Sequence, residues 1–462
     1  MKSISITLAF IFSVFYSFGQ LNSKFSTNEV QEDLTYLYQS LKDAHYNLYA
    51  YTTEQKFDSV YKKVQQTIAK DSLSLLETTN AFQQLVSAVN NGHTEIDFPG
   101  QSYGAYAHAN GTVFPLEIAF EYDKALVRKN WSSNTEIFAG SELMSVNGML
   151  IADILEKMYP QISAERPYFK KTKIELYSFP RYYWQIFGEQ DEFEVEIRSK
   201  GNIKTYILKA IHLIQDYEMK REEILNSQMK LAFFKHSAYL NPGHFSGDET
   251  KFRHFIDSAF AKIKEQKSKN LIIDLRNNGG GNDSFSDYLV SYFASKPFKW
   301  NSSFKLKTSR FLKEHVRKYR DTTKVFWEKV LSHKNGEIYD HAFAEYQPQS
   351  TAKRFTGKVF VLVNRQSHSQ SAVTAAQVQD YNFGTIVGEE TGDYPSLYAS
   401  QFQYTLPNTG IPVKVSKGYI VRVNGSTAKQ GVVPDIFIKD HLLDENDEIL
   451  DGLLDKLSKA AK

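Results

Sequence analysis

Three hydroxyls fall within five residues of this chain, in Ser367-His368-Ser369-Gln370-Ser371. The run Val359 to Val363 just before them is continuous, β-branched and aromatic, the pattern of a strand buried on both faces. Ala372, Ala375, Ala376 and Val378 then recur at helical spacing. A helix is therefore expected over Ser371 to Gln379, with Asn382-Phe383-Gly384 turning into a short strand at Thr385 to Val387. The hydroxyls stand between the carboxyl end of a strand and the amino end of a helix, where free N–H groups and the helix dipole favour developing negative charge. A serine so placed can attack a carbonyl, provided a base takes its proton. The competing reading is structural, because Ser is a preferred helix N-cap.

Two other places carry residues that such chemistry needs. Leu271 to Leu275 reads as a second buried strand, followed by Arg276-Asn277-Asn278-Gly279-Gly280-Gly281-Asn282. Consecutive glycines let backbone N–H groups come close to a reacting group. A phosphate loop would want Lys-Ser or Lys-Thr next, and Asn282-Asp283 stands there instead. Far upstream, Asn90-Asn91-Gly92 ends a helical pattern and presents His93 directly after it. Imidazole accepts a proton near neutral pH. A helix-terminating role for His93 is the alternative, and His45, His244 and His368 are rival imidazoles.

The elements that must position these groups follow from periodicity. Ser26-x-x-Glu29 reads as a capping box, and Val30, Leu34, Leu37 and Leu41 follow at helical spacing. Phe57, Tyr61, Val64 and Ile68 signal a second helix, and Phe82, Leu85, Val86 and Val89 a third. From Val113 to about Ile211 the pattern changes to short strands, at Phe114 to Phe120, Lys124 to Arg128, Glu192 to Arg198 and Thr205 to Leu208. Glu156 to Gln190, rich in Tyr, Phe and Pro, reads as an insertion. Beyond Leu231, strands and amphipathic helices alternate, which argues for an α/β layer structure. Ser295 to Gly357 is a long aromatic and basic excursion, Lys305 to Lys324 reads as a solvated helix face, and Leu442 to Leu457 as a C-terminal helix.

Composition narrows the function classes. The chain has 462 residues, 42% hydrophobic, enough to bury two or three cores. Its net charge of +2 gives no general nucleic-acid footprint. With no cysteine there is no disulfide framework, thiolate metal site or cysteine nucleophile. No ligand-spaced His or acidic cluster asks for a metal, and no cofactor is expected. Lys2, the apolar run Ile4 to Phe18 and the small residues Ser17 and Gly19 have the pattern of a secretory signal cut before Gln20. The apolar run is too short to span a bilayer, so an exported protein without a stable membrane span is expected, periplasmic or secreted.

Gly140-Ser141-Glu142-Leu143-Met144-Ser145-Val146-Asn147-Gly148 resembles the strand and hairpin of PDZ domains, which bind extended chain ends by strand addition. A generic β-module with a structural Asn-Gly turn is the alternative. Taken in order, Asp274 to Gly281, the Ser367 to Ser371 turn with Gly388-Glu389-Glu390-Thr391, and Gly431-Val432-Val433-Pro434-Asp435 resemble the C-terminal-processing, or tail-specific, serine peptidase family. With the signal peptide over 1–19, the expected organisation is a helical N-terminal unit over 20–110 and a PDZ-like domain with an insertion over 111–211. A ClpP/crotonase-like α/β catalytic domain would follow over 212–462.

The resemblance further implies Ser369 as nucleophile and the backbone N–H groups of Gly280 and Gln370 as the oxyanion hole. Many family members supply a Lys base 25 positions after the nucleophile, where this chain has Tyr394. Asn91-Gly92-His93-Thr94 matches the pattern of the tricorn-like branch, which implies His93 as base. That branch's acid would fall on Ala428, so Glu389 and Glu390 are the candidates for an orienting acid. The expected function is an exported serine endopeptidase acting on extended or C-terminal peptide segments of protein substrates. A catalytically degenerate peptide-binding protein and a hydrolase of non-peptide esters or amides are the alternatives.

Overall fold

The computed structural model describes residues 24–221, 228–443 and 446–460. The expected signal segment, 1–19, lies outside them. Among the described residues no helix is long and apolar enough to cross a membrane.

The buried runs read from the sequence form the centre of a six-stranded sheet. Its order is Lys230–Phe234, Ser237–Asn241, Asn270–Asp274, Lys358–Val363, Thr385–Gly388 and Ile436–Phe437. The first pair is antiparallel and every later pair parallel. Successive side chains alternate between the faces. Leu271, Ile273, Val359, Val361 and Val363 pack with Ile256, Phe260, Leu289 and Ala375 from helices Glu249–Glu265, Asp283–Ser291 and Gln370–Asp380. Ile272, Phe360, Leu362 and Val387 face the other way, onto Ile449, Leu450 and Leu453 of the C-terminal helix. This is a mixed α/β layer structure. The C-terminal helix spans Glu448–Lys459 rather than starting at Leu442, because the Asp447 carboxylate caps it by accepting from Leu450 N–H.

Helices Thr27–Ala44, Glu54–Thr67 and Leu75–Ser87 occupy the stretches where helical spacing was read, and Ser26 makes the capping box with Glu29. They share a core with a four-stranded antiparallel sheet, Ile338–Asp340, Ser303–Lys307, Pro412–Val421 and Leu397–Thr405. This sheet went unread in the sequence. It also corrects the reading of Lys305 to Lys324: a strand ends at Lys307, and the helix Arg310–Tyr319 buries Phe311, Leu312 and Val316. Charged residues on the outer face masked that apolar stripe.

Between these units, Leu116–Glu121, Lys124–Asn130, Glu142–Val146, Glu192–Ser199 and Asn202–Lys209 form an antiparallel sheet, with Met149–Leu150 paired beside it. Asn147 and Gly148 take positive φ, as a two-residue hairpin needs. The aromatic stretch after it folds into helices Ile151–Met158, Pro167–Tyr177 and Phe179–Phe187. The loop and helix at 163–177 reach the Asn91-Gly92 loop, through Glu165 and Lys173.

Candidate active site

Ser369 sits where the Lys358–Val363 strand gives way to the Gln370–Asp380 helix. Its φ of 55° and ψ of −130° form a conformation that a side-chain-bearing residue adopts only when its surroundings hold it there. The holding contact is Asp393, whose Oδ2 accepts from Ser369 N–H at 2.9 Å while its Oδ1 accepts from Tyr394 N–H at 2.8 Å. The flanking serines have other work. Ser367 Oγ donates to Leu275 O at 2.7 Å, and Ser371 Oγ to the same carbonyl at 3.2 Å, tying the turn to the neighbouring strand. Ser369 Oγ instead stands 2.9 Å from His93 Nε2.

His93 reaches it from a loop fixed on all sides. Gln401 Nε2 donates to His93 O at 2.8 Å, and Asn91 is tied to Tyr398 O, Ser416 and His45. From the inserted segment, Glu165 Oε1 accepts from Gly92 N–H at 2.7 Å and from Asn91 Nδ2 at 2.9 Å. Lys173 Nζ donates to Gly92 O at 3.2 Å and Ser163 O at 2.8 Å. Space here is tight, since a methyl group on Gly92 would meet Glu165 and Phe169 at 3.0 Å.

The electrostatics keep the imidazole neutral. Burial pushes the His93 pKa below its ordinary value, opposed by the Glu165 charge and assisted by Lys173. Neutral His93 with Nε2 accepting from Ser369 must carry its proton on Nδ1. That atom is buried without a hydrogen-bond partner, and so is Glu165 Oε2. Donor atoms of His93, Glu165 and Asp393 lie within 4.8 Å of one another. Asp393 is on the serine side, its Oδ2 3.8 Å from Nε2. Burial raises the Glu165 pKa, and pushes Asp393 up to about 6. One imidazole and two carboxylates at this spacing could also hold a cation.

The acids expected to orient the imidazole are committed elsewhere. Glu389 lies 3.3 Å from Arg365, whose guanidinium also binds Glu175 at 2.8 Å and Glu121 at 2.8 Å. Glu390 pairs with Arg166 at 2.9 Å and accepts from Gly431 N–H at 2.9 Å. Glu165 and Asp393 stand at the ring in their place. Glu165 belongs to no motif and lies 72 positions from His93 in the chain (165 − 93), so no sequence signal points to it. Asp393 adjoins Tyr394, the position where the resemblance places a Lys, and that adjacency is a signal that could have found it.

Gln370 opens its helix, so its N–H has no carbonyl partner within the helix. Gly280, φ 84°, lies under the nucleophile, with a hypothetical Cβ 2.6 Å from Gln370 N. Its N–H donates to Asn278 Oδ1 at 2.8 Å and must leave that acceptor to meet an oxyanion. Among the rival imidazoles, His45 is buried against Asn91 and Asn47 N–H, and His368 against Gln366 O. His244 lines the cavity at Ser369.

A strained serine at a strand-to-helix turn, an imidazole on its hydroxyl and buried carboxylates behind it make up a serine-hydrolase type of site on a parallel-sheet scaffold. Residues 236–438 match the sequence model of Peptidase family S41. The tail-specific protease of Haemophilus influenzae is 29% identical over 188 residues, 39% of this chain. The chain spans only 22% of that relative's length. The fold is similar to that of mature CPAF complexed with lactacystin, with a TM-score of 0.65 at 14% identity, covering 94% of this chain and 98% of that one. Mature CPAF gives 0.64 at 15% identity, over 94% and 97%.

Proposed function

We propose that the chain is a serine endopeptidase in which Ser369 attacks the scissile carbonyl, His93 accepts the hydroxyl proton and Glu165 orients the imidazole. The observation that carries the reading is the 2.9 Å contact between His93 Nε2 and Ser369 Oγ, the geometry required of a nucleophile and its base. The match of residues 236–438 to a peptidase family adds the reaction class. A His base is favoured over Lys because Tyr394 fills the position where many relatives carry Lys, and its ring lies against Arg166.

In the acylation step His93 Nε2 takes the proton as Oγ bonds to the carbonyl carbon, and the imidazolium is stabilised by the two carboxylates. The Gln370 N–H, and Gly280 N–H once released from Asn278, would receive the oxyanion. His93 then gives the proton to the departing amine, and water repeats the sequence on the acyl-enzyme. Substrates are extended peptide or protein segments, brought in by the strand-rich unit in the manner of a PDZ domain. Export by the N-terminal segment belongs to the same proposal.

The test is labelling by a fluorophosphonate probe together with cleavage of an unstructured peptide library. Wild type is expected to label and cleave, and Ser369→Ala to do neither. Equal labelling of the two proteins, or none of wild type, removes the reading. Turnover of small esters without peptide cleavage would favour the non-peptide alternative.

A further inference from the structure

The cavity that begins at Ser369 and His93 has a volume of about 670 Å³ and extends well beyond them. Part of its wall is aromatic. Trp300 and Phe343 lie 4.9 Å apart between ring centroids, Phe304 and Phe343 5.5 Å, and Phe326 meets Trp327 edge-on at 4.6 Å. Such a wall suits a bulky apolar side chain.

Two cations share the Trp327 ring. The Arg320 guanidinium lies 5.3 Å from its centroid and the Lys417 ammonium 5.8 Å, and both residues line the cavity. Lys417 is 4% exposed. Its donors go only to neutral oxygens, Ser400 O at 2.5 Å, Ser400 Oγ at 2.8 Å and Gln401 O at 3.5 Å. Ser400 holds a positive φ of 59°, a costly conformation for a residue with a side chain. Neither cation forms an ion pair with a described carboxylate. The same cavity wall carries Asp283, next in the chain to the glycine loop. Lys417 and Arg320 place their positive charge at the Trp327 ring.

A buried ammonium without a counter-ion is costly, and an arriving carboxylate would remove that cost while gaining charge-assisted hydrogen bonds. Resting on the peptidase reading above, we propose that the aromatic part of the cavity is a carboxylate subsite. Lys417 and Arg320 there bind a peptide carboxylate while the neighbouring apolar side chain packs among the rings. The carboxylate belongs either to an Asp or Glu side chain or to a free C-terminus. Burial and the Arg320 charge already hold the Lys417 pKa down to about 7, and a bound carboxylate would restore its proton.

The experiment is steady-state cleavage of peptide pairs by the full chain. One arm compares Glu with Gln at each of three positions on either side of a cleaved bond, and the other compares a C-terminal acid with its amide. A preference for the carboxylate of roughly tenfold to a hundredfold in kcat/KM is expected at one position in one arm. The responding arm identifies the source. The ratio should fall towards one in Lys417→Gln and in Arg320→Gln, and exposed Arg320 keeps the test readable if the buried change prevents folding. Ratios near one throughout in wild type, or unchanged in both variants, overturn the subsite. If wild type still labels at Ser369 in that case, the peptidase reading stands. If it neither labels nor cleaves, both fall together.

Discussion

His93 Nε2 and Ser369 Oγ stand 2.9 Å apart although 276 positions separate them in the chain. Removing either partner should be about equally damaging, because neither works alone. His93→Ala is expected to lower kcat at least about a thousandfold with a small change in KM. Retention of more than a tenth of the wild-type kcat would point to another base.

Glu165→Gln tests the orienting acid through the pH profile. The Glu165 charge raises the His93 pKa, so its loss should lower that pKa and move the acid limb of kcat/KM to lower pH, besides reducing kcat. A merely structural Glu165 would reduce activity and leave the limb in place.

Gly280→Ala should lower both stability and turnover. The added Cβ would lie 2.6 Å from Gln370 N and 2.7 Å from Ser369 Cβ, on a backbone at φ 84°. Gly336 supplies the control, since it has a similar φ of 83° with nothing within 4 Å. Gly336→Ala carries the backbone cost alone, about 1 to 2 kcal/mol. Thermal unfolding should show the Gly280 change costing more, by about 1 to 3 kcal/mol of overpacking.

Arg365→Ala leaves Glu121, Glu175 and Glu389 buried around a missing cation. A loss of about 3 to 5 kcal/mol in denaturant unfolding is expected, as for a broken buried ion pair. The carboxylates come from the strand-rich unit, the inserted helix and the loop after Thr385–Gly388, so peptide turnover should fall as well.

Acid should destabilise the fold through buried neutral histidines. Burial lowers the folded pKa of His45 to about 4 and of His368 to about 3, below the ordinary value near 6.5. The unfolded chain therefore takes up these protons first, and this contribution, full above about pH 6.5, is lost as the pH falls towards 4. Buried Asp393 and Glu389, raised to about 6 and about 7, act in the opposite sense, so the measurement is a difference. His45→Gln should flatten the Tm profile between pH 6.5 and 4 relative to wild type, and parallel profiles would contradict the assignment.

What the sequence determined by itself is local or periodic. The strand at Lys358–Val363, the helix at Gln370–Asp380 and the helices beginning at Thr27 and Glu54 follow from apolar spacing and caps, which act over a few residues. Motif order also singled out Ser369, His93, Gly280 and Gln370. Tertiary structure decided which groups face one another. The strands Leu397–Thr405 and Pro412–Val421 gain their identity by pairing with each other and with Ser303–Lys307, and sheet propensity depends on such neighbours. Glu165 comes close to His93 only because the inserted segment folds back onto the Asn91-Gly92 loop, while Glu389 is drawn away by Arg365. Charge pairing in a folded interior depends on distance in space, and nothing in the spacing of those carboxylates along the chain encodes it.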